Sequence, residues 1–125
     1  MEVVFPVKKL RYLEIKSGKS TVEYREVKPY WTRRVEKLTG CSWTDYDGME
    51  GFNLRSYGFG KNPVKCFVRW GYMPKTRHNL PIEITKISII DDGMQTPLKV
   101  EGEVYAFDFR VCGEEIDTRI ENADI

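Results

Sequence analysis

The sequence predicts an α+β domain: a mixed or antiparallel β-barrel with two short peripheral helices near the N-terminus. Three observations lead there. The candidate elements run strand, helix, strand, helix and then several strands, without the repeating βαβ units that build a parallel sheet. The 125 residues suffice for one core and would leave two domains too small to bury one each. Hydrophobic residues make up 41% and charged residues 31%, the balance of a compact domain rather than a disordered chain. A single domain over 1–125 is expected, with an acidic tail over 113–125 that frays or forms a short final turn.

The first strand is Val3 to Val7, β-branched and aromatic, with Pro6 confining it to a sheet edge or a strand start. Lys8 to Ser17 follows as a helix. Leu10 and Leu13, and Tyr12 and Ile15, are spaced i,i+3, and Gly18 stands where a helix stops in the left-handed conformation. Ser20 to Val27 alternates as a strand, putting Thr21, Glu23 and Arg25 on one face about 7 Å apart. Pro29 pre-sets a second helix, Tyr30 to about Leu38, ended near Gly40, with Trp31, Val35 and Leu38 as its core-facing stripe. Residues 39–62 hold five glycines among Asp, Asn and Ser and read as a long irregular loop with short strand fragments. Three strands close the chain, at 64–70, 82–89 and 102–111. The second exchanges faces near its middle, and Asp91-Asp92-Gly93 supplies the turn before the third.

Net charge is only +1, but it is unevenly spread. Residues 1–40 carry ten Lys/Arg against five Asp/Glu, residues 41–90 seven against four, and residues 91–125 three against ten. A basic front suits an anionic ligand. No apolar run approaches the ~20 residues that span a bilayer. Met1 to Pro6 lacks the basic leader and apolar stretch of a signal peptide, so a cytoplasmic protein is expected. Cys41, Cys66 and Cys112 are odd in number and form no CxxC pair, which reads as reduced, mostly buried thiols. His78 is the only histidine and has no thiol nearby, so neither a metal centre nor a cofactor is expected. It reads as a surface residue of the basic loop 75–79. Tyr57 to Lys61 is glycine-rich and aromatic without the spacing of a nucleotide-binding loop.

The segment Lys16 to Glu26 carries the sharpest functional signal. A helix that ends on Gly18 and turns directly into a strand bearing Glu23 and Arg25 makes a concave, polar spot with unpaired backbone groups. Glu23 is a candidate general base or the ion-pair partner of Arg25 or Arg69. The planar guanidinium of Arg25 suits a phosphate or a base edge. Arg69 is a candidate to converge from a neighbouring strand. Tyr30, Trp31 and Tyr72 offer stacking faces, with Trp31 claimed by the helix stripe and Tyr72 the better placed beside Gly71. Lys28, Arg33 and Arg34 are candidates for phosphate contacts.

Gly18, Glu23 and Arg25 also stand at the positions of GxKxxExR, the signature at the first helix–strand junction of ASCH domains. The chain resembles that family's bacterial and phage subset, densely over residues 8–34 and in patches over 57–90. The second stretch includes Phe67-Val68-Arg69-Trp70-Gly71-Tyr72. The resemblance implies a PUA-like pseudo-barrel with a cleft beside the motif. That cleft would bind RNA or a modified nucleoside through Gly18, Ser20, Glu23, Arg25, Lys28, Tyr30, Arg69 and Tyr72. Some such relatives hydrolyse the amide of acetylcytidine and others act as ribonucleases. The alternative is thus a small hydrolase using Lys19, Thr21 and Glu23.

Two features separate these readings. The signature lysine is replaced by Ser20, with Lys19 one place earlier, and a serine does not supply the missing amine. The hydrolase therefore requires Lys19 to point into the same cavity as Glu23. In the binding module, Arg25→Ala is expected to abolish binding while leaving the melting temperature near wild type. A protein-binding role would rest only on the acidic tail and the 13% aromatic content.

Overall fold

A computed structural model describes residues 3–43, 54–73 and 75–119 of the chain. Strand β1 (Val4–Val7) buries Phe5 and Val7 on one face. Helix α1 (Lys9–Lys16) turns Tyr12 and Ile15 into the core and leaves Leu10 and Leu13 in solvent, so only the second of the two expected i,i+3 pairs faces inward. Gly18 at φ +80° then reverses the chain, with the amides of Gly18 and Lys19 bonded back to the carbonyls of Ile15 and Glu14. Strand β2 (Val22–Glu26) follows. Helix α2 (Pro29–Thr39) starts on its proline and is capped by Gly40 at φ +69°. Val35 of its expected stripe is fully buried, while Trp31 and Leu38 pack against the core half-buried.

Strand β3 (Ser56–Gly58) is a fragment within the segment expected to be irregular; positions 44–53 of that segment lie outside the described residues. Strand β4 (Val64–Trp70) has the bounds read from the sequence, β5 (Asn79–Ile90) begins three residues earlier than read, and β6 (Val104–Val111) begins two residues later. The face exchange in β5 is a register irregularity between Ile84 and Lys86, which moves the buried positions from Ile82 and Ile84 to Ile87. Between β5 and β6, Asp92 caps a 3₁₀ turn at Gly93–Gln95 by accepting from the Met94 amide.

The strands form one sheet in the order β1-β4-β5-β6-β2, with β3 beside β5, antiparallel throughout except for β1 along β4. The sheet curls into a half-barrel rather than a closed barrel, because the end strands β1 and β2 do not pair through their backbones. One side chain crosses that seam: Arg25 Nη2 of β2 donates to the carbonyl of Pro6 in β1 at 3.1 Å. Inside, the Phe5 ring stacks on Trp31 at 5.1 Å and meets Phe107 edge-on at 5.0 Å, while Thr32 of α2 is hydrogen-bonded to the buried Tyr105 hydroxyl. Among the described residues, no helix is long and apolar enough to cross a membrane.

Two expectations are resolved at the C-terminal end. The described part of the tail docks and ends in a turn at 118–119: Ile116 and Asn79 exchange backbone hydrogen bonds, and Thr118 bonds to Thr76. His78 is not a free surface residue, since its ring stacks on Trp70 at 4.2 Å and its Nδ1 meets Glu115 at 2.8 Å. Glu115 also accepts from the buried Tyr12 hydroxyl and lies 3.7 Å from Lys16 Nζ. The acidic composition that suggested a loose end is thus partly spent on local partners. Residues 120–125 lie outside the described residues. Of the three thiols, Cys66 is buried and Cys41 half-buried as expected, but Cys112 is exposed.

The latch around Glu115 makes a prediction. Partial burial pushes its carboxyl up, but the hydrogen bonds from Tyr12 and His78 and the charge of Lys16 outweigh this and hold it below the ordinary 4.5. A carboxylate depressed in the folded state stabilises the fold above its ordinary value, and that contribution is lost as pH falls through the lowered one. Urea unfolding should therefore show a stability decline below about pH 4.5 that Glu115→Gln flattens, with a loss of about 1–2 kcal/mol at neutral pH. Identical acid limbs in the two proteins would remove Glu115 from the latch.

Candidate functional site

A cavity of about 790 Å³ opens at the seam between β1 and β2. One wall is the end of β1 with Lys8 and, from α1, Arg11 and Glu14. The floor is the chain reversal and strand bearing Lys19, Ser20, Glu23 and Arg25. Trp31 and Lys28 add to the lining, and the exposed Tyr72 with Pro97, Leu98 and Val100 forms the rim. The site exists because the sheet does not close: an edge-to-edge gap leaves side chains, rather than backbone pairing, to fill the space.

Its polar centre is Glu23, only 6% exposed and held from both sides. Arg11 gives two bonds to Oε1, from Nε at 3.0 Å and Nη2 at 2.7 Å, and Arg25 Nη2 bonds Oε2 at 2.7 Å. The remaining donors of Arg11 reach the Ser20 hydroxyl and the Val22 carbonyl. Arg25 also lies over two rings, its Cζ 5.2 Å from the Trp31 centroid and 5.5 Å from that of Phe5. Its Nε is the one buried side-chain polar atom without a hydrogen-bond partner among the described residues. One carboxylate between two guanidiniums leaves a net positive centre, and Lys8, Lys19 and Lys28 add to it against Glu14 and Glu26.

Of the ten residues named in the binding and hydrolase readings, six meet at this cavity: Lys19, Ser20, Glu23, Arg25, Lys28 and Tyr72. Lys19 reaches it because it precedes β2, where the chain is still turning and strand alternation does not yet apply, while Glu23 projects from the second position of the paired strand. Four candidates fall outside. Arg69 does not converge on the site; its Nε is bonded to Asn79 Oδ1 at 2.8 Å, because β4 lies beyond β1 from the seam. Tyr30 is half-exposed on the outer side of α2, where the Arg34 guanidinium sits 3.4 Å from its ring centre. Thr21 is exposed and uses its carbonyl to accept from Phe109 in β6. Gly18 shapes the reversal without lining the cavity.

Arg11 was missed by sequence reasoning, yet it is the residue that organises the site. A signal was present. The helix is short and folds straight back at Gly18, so a side chain facing the reversal about two turns before it lies alongside the first residues of the returning strand. Arg11 also explains how Ser20 fits: its hydroxyl accepts from a guanidinium where a lysine would add a second cation.

The chain matches no family model, and comparison with curated proteins and with solved structures likewise yields no match.

Proposed function

We propose that this protein is a binding module for RNA or a modified nucleoside, which it takes into the seam cavity. The observation that carries this reading is the composition of the cavity: a net positive floor centred on Arg11, Glu23 and Arg25, with the aromatic residues Trp31 and Tyr72 in its lining. Trp31 is backed by the core, and Tyr72 is 79% exposed with its ring available. A base is flat, apolar on its faces and polar at its edges, and the volume is that of a small-molecule site. The resemblance to ASCH domains and their PUA-like barrels supports the same reading through Gly18, Glu23 and Arg25. The half-barrel with two N-terminal helices is compatible with it.

The hydrolase reading has one feature in its favour, Lys19 among the residues that line the cavity holding Glu23. Against it, both Glu23 oxygens already accept from guanidiniums and Thr21 lies outside. A general base needs an open lone pair within reach of the proton it takes. Incubation with acetylcytidine, followed by mass spectrometry, is expected to return the substrate intact.

Tyr72 gives the cleaner test of binding, since almost nothing in the fold depends on it. Tyr72→Ala should leave the melting temperature within about one degree of wild type and weaken nucleoside or RNA binding about tenfold, the scale of one lost stacking contact. Titration by tryptophan fluorescence at low salt measures it. Unchanged affinity for every nucleoside and RNA that the wild type binds would sink the reading.

A further inference from the structure

A second concavity, of about 370 Å³, lies over the beginning of α2 and is lined by Val27, Lys28, Pro29, Thr32, Arg33 and Glu36. Lys28 lines both this hollow and the seam cavity, so the two are joined at one side chain. The polar groups facing the hollow are unequally engaged. The Thr32 hydroxyl is committed to Tyr105, and a Glu36 oxygen accepts from the Trp43 amide at 2.8 Å. Lys28 holds only an exposed ion pair with Glu26, the kind that yields at little cost, and among the described residues Arg33 has no ion-pair partner. Pro29 and Arg33, at i,i+4, are neighbours on one face of α2 and both line the hollow. Arg34, by contrast, is drawn away onto Tyr30. The seam cavity is therefore the compartment with aromatic residues in its lining, and its neighbour is a shallow compartment lined by two cations, Lys28 and Arg33, against the single carboxylate of Glu36.

We infer that the ligand is a single-stranded oligonucleotide rather than a free nucleoside. One base occupies the seam cavity, and an adjoining backbone phosphate is held between Lys28 and Arg33. This rests on the binding reading above and narrows it. A chain crossing from one compartment to the other must pass Lys28, where a phosphate meets a flexible ammonium. The planar fork of Arg33 then takes a phosphate in the second hollow. The contact is sequence-independent, so the hollow contributes affinity and register while the cavity selects the base.

The experiment compares, at low salt, each of the four ribonucleosides, its 5′-monophosphate and the ribonucleotide tetramer of the same base. Wild type and Arg33→Glu are titrated by tryptophan fluorescence, and circular dichroism confirms the fold of the variant. The tetramer should bind wild type at least about tenfold more tightly than its nucleoside, the scale of one well-made charged contact. Arg33→Glu should remove that gain and leave nucleoside affinity within about twofold. The slope of log affinity against log salt should become shallower by about 0.7, the value for one phosphate contact on a single strand. A nucleoside that binds as tightly as its tetramer overturns the inference but leaves the seam cavity as a nucleoside site. Equal weakening of both ligands by Arg33→Glu does the same. Binding of none of the probes by wild type overturns both.

Discussion

Glu23→Ala is expected to lower the unfolding free energy by about 3 kcal/mol, among the largest effects of any single polar substitution in the chain. The carboxylate is nearly buried and is the common acceptor for Arg11 and Arg25, whose side chains are themselves mostly sheltered. Removing it leaves two guanidiniums facing one another without compensation. The full penalty of a buried unpaired charge is moderated here because both arginines still reach the open cavity and can relax toward water. Against a typical total stability of about 5–15 kcal/mol, the loss is easily read by urea denaturation. Glu23→Gln keeps the shape and one good acceptor and should lose less. Replacing the three charged residues together, by Arg11→Met, Glu23→Leu and Arg25→Met, should recover part of the deficit, because no uncompensated charge remains. A single-variant loss below about 1 kcal/mol would mean that the cluster is solvated and contributes little.

Arg25→Lys is expected to be nearly as informative, since it keeps the charge and removes the geometry. The guanidinium simultaneously bonds Glu23 and the Pro6 carbonyl across the seam and lies over the Trp31 and Phe5 rings. An ammonium is a single point donor without a flat face and cannot meet both acceptors while stacking. A loss of about 2 kcal/mol, or roughly 6–10 °C in melting temperature for a domain of this size, should accompany weaker ligand binding. This revises the expectation that Arg25 could be removed with loss of binding alone. Position 25 closes the half-barrel and lines the site at once, so stability and affinity fall together there. They separate at Tyr72, which the fold does not need. An Arg25→Lys protein that melts with wild type would show that β1 and β2 are held together without this side chain.

Much of the architecture is written in local patterns. Gly18 and Gly40 end their helices in the left-handed conformation that glycine adopts most readily, and Pro29 starts the second helix where its missing amide does no harm. Period-2 alternation located three of the six strands, β4 to the residue and β5 and β6 to within three residues at either end, including the phase change that proved to be the irregularity at Ile84 and Lys86. Pro6 at an edge follows from a residue with no amide to give to a ladder. The docking of the acidic tail was not legible, because Glu115 finds Tyr12 and His78 only across long stretches of chain. Burial of Tyr12 and Ile15 rather than Leu10 and Leu13 depended on which face of α1 met the sheet.

The division is sharpest at the site. By itself the sequence determined that Lys19, Ser20, Glu23 and Arg25 lie near one helix–strand junction, since turn and strand geometry act over a few residues. Only the tertiary structure decided that β1 and β2 become the unpaired ends of one sheet and leave a cavity between them. It also decided that Arg11 holds Glu23, that Tyr72 arrives at the rim, and that Arg69 is carried off to Asn79. The reason is one of range: strand order is set by burial of the whole core, and no local pattern encodes which two edges will face each other.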